Sequence, residues 1–139
     1  MRLLEPRYPN RLDALHPRIV EDLLEIAHTG HHEALNALIL MLEDLTQQGL
    51  DSRFAKTLKR TPIWELKTRS RGGLKGGSRV YWFPLEVSME HNESSETFAV
   101  IVNAEVKAGN TPNPLKLTEA LEVYLAFKRD APGMIRRSE

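Results

Sequence analysis

The sequence predicts an α+β fold over residues 1–139, in which an N-terminal helical hairpin packs on a small antiparallel β-sheet joined by a C-terminal helix. Three observations carry this expectation. Apolar residues recur at helical spacing twice in the first fifty residues, two short stretches after residue 60 alternate as strands do, and a continuous apolar run begins at Phe98. The order is helix, helix, strand, strand, strand, helix, with no internal repeat.

Residues 1–15 read as an irregular or short extended lead-in, because Pro6 and Pro9 prevent a helix. Pro17 suits a first helical turn, and Ile19, Val20, Leu23, Leu24 and Ile26 follow at helical spacing, with Glu21, Asp22 and Glu25 opposite. Thr29-Gly30 should end this helix. A second runs from about His31 to Gln48 on a stripe of Leu35, Leu38, Ile39, Leu42 and Leu45, and Gly49 closes it. Ile63-Trp64-Glu65-Leu66-Lys67 and Arg79-Val80-Tyr81-Trp82-Phe83 alternate as strands around a glycine-rich segment, RSRGGLKGGS. The run from Phe98 to Val106 reads as a strand central to the sheet. Pro112 and Pro114 mark a turn, and Leu117, Ala120, Leu121, Tyr124 and Leu125 form a last helix, capped by Thr118, before a frayed tail at 130–139.

Composition narrows the function classes. Hydrophobic residues make up 41% of the chain and charged residues 27%, which is ordinary for a globular domain. No cysteine is present, so thiolate catalysis, disulfides and thiolate metal sites are unavailable, which fits a cytoplasmic location. The longest apolar segment, ALNALILML, is too short to span a bilayer, so no membrane partner is expected. The net charge is zero, yet Arg53, Lys56, Lys59, Arg60, Lys67, Arg69, Arg71, Lys75 and Arg79 are opposed between residues 53 and 79 by Glu65 alone. A basic centre in a neutral chain signals local binding of a polyanion, against the plainer reading of a solvated charged face.

Few patterns carry chemistry. His28, His31 and His32 lack a carboxylate at ligand spacing and read as exposed helix-end residues, so no metal or other cofactor is expected. Glu65 reads as an ion-pair partner of Lys67 or Arg79, with a general base as the alternative. GGLKGGSR lacks the ending and the following helix of a phosphate-binding loop. Trp64, Tyr81 and Trp82 are candidates to stack on unpaired bases, although strand alternation sends about half of them to the core. Arg79 is the most specific cation, because it opens a strand beside the mobile loop.

Gly49, Lys59, the stretch Ile63–Lys67, Ser78-Arg79-Val80-Tyr81-Trp82, Lys107, Thr111-Pro112 and Glu119-Ala120, in this order and spacing, resemble the RelE/HigB toxin superfamily. The similarity is greatest to the HigB-like, phage-derived branch and spans residues 18–128. The resemblance implies a RelE-like fold and the toxin of a type II toxin–antitoxin pair, a ribosome-associated mRNA endoribonuclease that works without metal. Its partners would be the ribosome, mRNA and a cognate antitoxin, expected to be a helix-turn-helix protein. It assigns catalytic cations to Lys67, Arg79 and Lys107, and backbone-phosphate contacts to Arg69, Arg71 and Lys75, with Lys59 as a further RNA-binding position. Ala108 and Leu117 stand where many members carry a basic residue and a tyrosine or histidine, so the matched positions name no proton carrier. The second reading is a non-catalytic or degenerate binding module on the RelE/ParE fold, acting on a protein or nucleic-acid target. An unrelated function is the third.

Overall fold

The computed structural model describes residues 1–6, 17–68, 77–88, 95–107 and 112–138. Its elements are β1 (Arg2–Leu4), α1 (Arg18–His28), α2 (His32–Gln48), a 3-10 turn at Gly49–Asp51, β2 (Ala55–Thr57), β3 (Trp64–Lys67), β4 (Gly77–Ser88), β5 (Ser95–Lys107) and α3 (Pro114–Ser138). The fold is α+β, with three helices and one five-stranded sheet in the order β1-β5-β4-β3-β2.

The sheet is mixed, which corrects the antiparallel expectation. The lead-in contributes β1, which runs parallel to β5 and pairs Arg2, Leu3 and Leu4 with Phe98, Ala99 and Val100. A three-residue strand lies below the length at which alternation is visible in sequence, and the same holds for β2. All other neighbours are antiparallel, and β4 takes the middle of the order.

Each sheet face has its own core. On one face α1 and α2 bury Ile19, Ile26, Leu38, Met41 and Leu45 against Leu66, Val80, Trp82, Ala99, Ile101 and Ala104. Ser78 ties α2 to β4 by donating its hydroxyl to the Ala34 carbonyl at 3.0 Å. On the other face α3 presents Ala120, Val123 and Phe127 to Ile63, Tyr81, Phe83, Val100 and Val102. Tyr124 belongs to this core as expected, edge-on to Phe83 at 5.2 Å. The α3 helix begins earlier than the sequence suggests, at Pro114, whose fixed φ and missing N–H suit a first turn. Asn113, not Thr118, caps it by accepting the Leu115 N–H at 3.0 Å. Its helical backbone continues to Ser138, through the expected tail.

One irregularity decides which residues face which helix. Along β4 and β5 the pairing steps from Tyr81–Asn103 to Trp82–Ile101, leaving Val102 as the extra residue of a β-bulge. Consequently Val102 and Asn103, though consecutive, both serve the α3 side: Val102 in its core, and Asn103 through bonds to Lys116 and Glu119.

Beyond the reach of β1, α1 and α3 meet around the edge of β5. Asp22 of α1, almost fully buried, accepts the Ala104 N–H at 3.0 Å and the Lys116 ammonium at 2.7 Å. Arg18 bonds Glu119 at 3.1 Å, and the Asn103 amide bonds Glu119 at 3.1 Å and the Lys116 carbonyl at 3.0 Å. These charge-assisted bonds satisfy a strand N–H that no neighbouring strand takes. Asp22→Ala should lower stability by about 2–3 kcal/mol, because it strands a backbone donor and a largely enclosed ammonium. Asp22→Asn, which keeps an acceptor for Ala104, should lose clearly less; equal losses in urea unfolding would show that the Ala104 bond contributes nothing.

Candidate functional site

Three strands converge at the positions to which the family resemblance would assign catalytic cations. Lys67 pairs with Arg79 across β3 and β4, Arg79 pairs with Glu105 across β4 and β5, and Gly77 pairs with the Lys107 backbone. The base of the loop between β3 and β4 is tight. Ser78 donates its N–H to Thr68 Oγ1 at 3.1 Å, and a Cβ on Gly77 would stand 2.7 Å from the Thr68 carbonyl oxygen, so only glycine fits there. Lys67 and Arg79 are thereby held on neighbouring strands. Arg69, Arg71 and Lys75 lie outside the described residues. Lys59 is exposed in the turn between β2 and β3.

Arg79 is fully buried. It shares the α3 side of the sheet with Tyr81, and Glu65 and Glu105 stand opposite these two residues on the flanking strands. Glu65, Tyr81, Asn103 and Glu105 are buried as well. A single guanidinium therefore shares the α3 side of the sheet with two carboxylates, a phenol and an amide. Glu65 Oε2, Tyr81 OH, Asn103 Oδ1 and both Glu105 carboxylate oxygens have no hydrogen-bond partner among the described residues. Lys56 approaches Glu65 Oε1 at 3.8 Å, an ion-pair partner that the sequence did not suggest. That pair is long, and its lysine is 61% exposed, which makes it weak.

Tyr81 holds its proton more tightly than a free tyrosine. Burial raises its pKa well above the ordinary value, and the Glu105 and Glu65 charges add to the shift. The Arg79 guanidinium opposes it from beside the phenol, without the alignment of a well-formed hydrogen bond. The phenol is thus a proton donor, not an anion, at neutral pH.

The aromatic candidates do not face solvent as a stacking platform. Tyr81 and Trp82 are fully buried, and Trp64 leans on Trp82 at 5.3 Å within the core beneath α1 and α2. Alternation along β4 sends the two neighbours to opposite cores, so neither stays outside. Of the cations on β3 and β4 whose side chains are described, Lys67 is the one a phosphate reaches from solvent. His28, His31 and His32 are exposed around the α1–α2 junction, and the described residues contain no group of three His, Asp or Glu placed to hold a metal. Sequence reasoning passed over Asn103 and Glu105. The available signal was their period-two spacing with Lys107 inside an otherwise apolar strand.

No helix among the described residues is long and apolar enough to cross a membrane. No protein-family model matches the chain, and neither a curated protein nor a solved structure matches it.

Removing the Arg79 charge should unfold the protein before it informs on chemistry. Arg79→Ala leaves two buried carboxylates without their central cation and should cost about 3–5 kcal/mol. Arg79→Lys, which keeps the charge, should recover part of that loss in denaturant unfolding. Tyr81 sets a separate alkaline limit. Its folded pKa is raised, so its contribution is complete below the unfolded value of about 10 and is lost as pH rises toward the folded one. Tyr81→Phe should flatten the fall in stability above about pH 10, and a fall unchanged by this substitution would remove Tyr81 as its cause.

Proposed function

We propose that the chain is the toxin of a type II toxin–antitoxin pair and cleaves mRNA on the ribosome without a metal ion. Cleavage would proceed by attack of a ribose 2′-hydroxyl on the adjacent phosphate, forming the new phosphorus–oxygen bond as the bond to the 5′-oxygen breaks. Lys67 and Lys107 would stabilise the charge that develops on the phosphoryl oxygens. Arg79, enclosed by its carboxylates, would hold this end of the sheet in register, which moves it from a contact role to a positioning one.

The observation that carries the reading is the strand register. Positions 67, 79 and 107, separated by forty residues of sequence, come to one end of three adjacent strands. The ordered resemblance to RelE/HigB toxins supports the same assignment, and a helix-turn-helix antitoxin would be the natural partner. One specific observation favours the second reading, a non-catalytic binding module on the same fold. Arg79, one of the three cations to which the resemblance assigns catalysis, has no surface with which to touch a phosphate.

Induced expression separates the readings. Growth arrest with cleaved mRNA is expected from the unaltered chain. The Lys67→Ala/Lys107→Ala variant, with its thermal midpoint retained, should lose at least about a hundredfold in cleavage rate. Arrest with intact mRNA would instead support the binding module. A folded, well-expressed chain that neither arrests growth nor cuts RNA would overturn the toxin assignment.

A further inference from the structure

Among the described residues, a concentration of exposed positive charge lies away from the Lys67–Arg79 pair, on and beside β2, the last strand in the sheet order. Arg53, Lys56, Lys59 and Arg60 fall within eight residues, all four are exposed, and Asp51 is the one exposed acid close to them in sequence. They accompany β2, which has a strand neighbour on one side among the described residues.

This edge is built, not loose. In the turn from β2 to β3, Leu58 donates its N–H to the Ile63 carbonyl at 3.1 Å, and the Thr61 N–H reaches the Leu58 carbonyl at 3.3 Å. The Thr61 hydroxyl accepts the Ile63 N–H at 3.1 Å and lies 3.2 Å from the Leu58 carbonyl. Ile63 is fully buried and Leu58 packs on the same core, so the turn is anchored from below. At its tip Arg60 adopts φ +65°, the one non-glycine residue in the left-handed region among the described residues. Glycine or asparagine would take that position with less strain. A long cationic side chain kept in a disfavoured conformation on a rigid turn points to a use for the side chain. At the other end of β2, the Arg53 guanidinium lies over the Phe54 ring at 4.7 Å. Arg53 is exposed there, and an arginine so placed can also stack on a base.

Lysines on edge strands also deter edge-to-edge pairing. That accounts for Lys56, but not for Arg60 at the strained tip or for Arg53 ahead of the strand. The four cations run from Arg53, ahead of β2, to the turn that follows it, so they suit successive phosphates of one strand better than a single phosphate.

We propose that Arg53, Lys56, Lys59 and Arg60 form a docking track for single-stranded RNA along the outer edge of the sheet. The proposal extends the RNA-directed part of the function above and does not depend on cleavage.

Fluorescence anisotropy tests it, with labelled, unstructured RNA and DNA strands of about a dozen nucleotides and identical sequence. Arg60→Gly removes the charge and relieves the strained backbone together. It should leave the thermal midpoint unchanged or higher, weaken RNA binding about threefold, and reduce the salt slope of log K by about 0.7. The triple variant Arg53→Ala/Lys59→Ala/Arg60→Gly should lose at least about tenfold in affinity and about 2 in that slope. A raised midpoint in Arg60→Gly, with RNA affinity and slope both unchanged, would make the strain a structural accident and overturn the track. DNA binding as tight as RNA, or polyglutamate of matched charge binding equally well, would overturn the assignment to RNA. If the unaltered chain binds and cleaves RNA while the triple variant binds as well, only the track fails. If the unaltered chain does neither, the track and the toxin reading fall together.

Discussion

The extra residue in β5 is the constraint on which the rest of the arrangement depends. Side chains alternate strictly along a strand, so one inserted residue exchanges the faces of everything beyond it. With Val102 as the bulge, Ala104 turns to the tight core beneath α1, while Asn103 and Glu105 turn toward α3. An unbulged β5 would press an amide and a carboxylate into Leu38 and Met41. It would also move Ala104 away from Asp22. One local irregularity therefore sorts a polar strand end from an apolar core and aligns Glu105 with Arg79.

The polar layer that results is demanding to maintain. Buried carboxylates, a phenol and an amide around one guanidinium contribute little net stability, because desolvation offsets most of their attraction. What such a layer does offer is discrimination between registers, since a slip of the β4–β5 pairing would bury Glu105 without Arg79 opposite. The helix above it is held from the side. Lys116 and Glu119 on α3 reach around the β5 edge to Asp22 and Arg18 of α1. The two faces of the sheet are thus joined by charge at the stretch of edge that β1 leaves uncovered.

Much of the architecture is legible in the residues. The apolar stripes of α1 and α2, the alternation at Trp64–Lys67 and Arg79–Phe83, and the run from Phe98 identify the main elements and their order. What escapes has physical causes. Strands of three residues have no readable period, so β1 and β2, and with them the parallel pairing, were invisible. A bulge leaves no compositional trace, so the phase of β5 and the joint burial of Asn103 and Glu105 could not be inferred. Arg79 illustrates the difficulty best. An arginine opening a strand beside a glycine-rich basic loop reads as a surface cation, and only its cross-strand neighbours Lys67 and Glu105, with the covering helix, place it inside. Conversely, Lys59 and Arg60 read in sequence as two charges among nine, and become distinct only through the φ of Arg60 and the anchored turn beneath it.

The pairing of residues 2–4 with residues 98–100 carries a kinetic consequence. The helices and the β2–β3 turn close over short distances and can form early. The first strand has no place to dock until nearly the whole sheet has been assembled, because β5 supplies its ladder. Closing so long a loop is entropically expensive and postpones the gain from that contact to the end of folding. Until then β5 presents the edge opposite β4, with Phe98, Ala99 and Val100 unpaired along it. The interval before β1 docks is therefore when this chain is most exposed to pairing with another copy of itself.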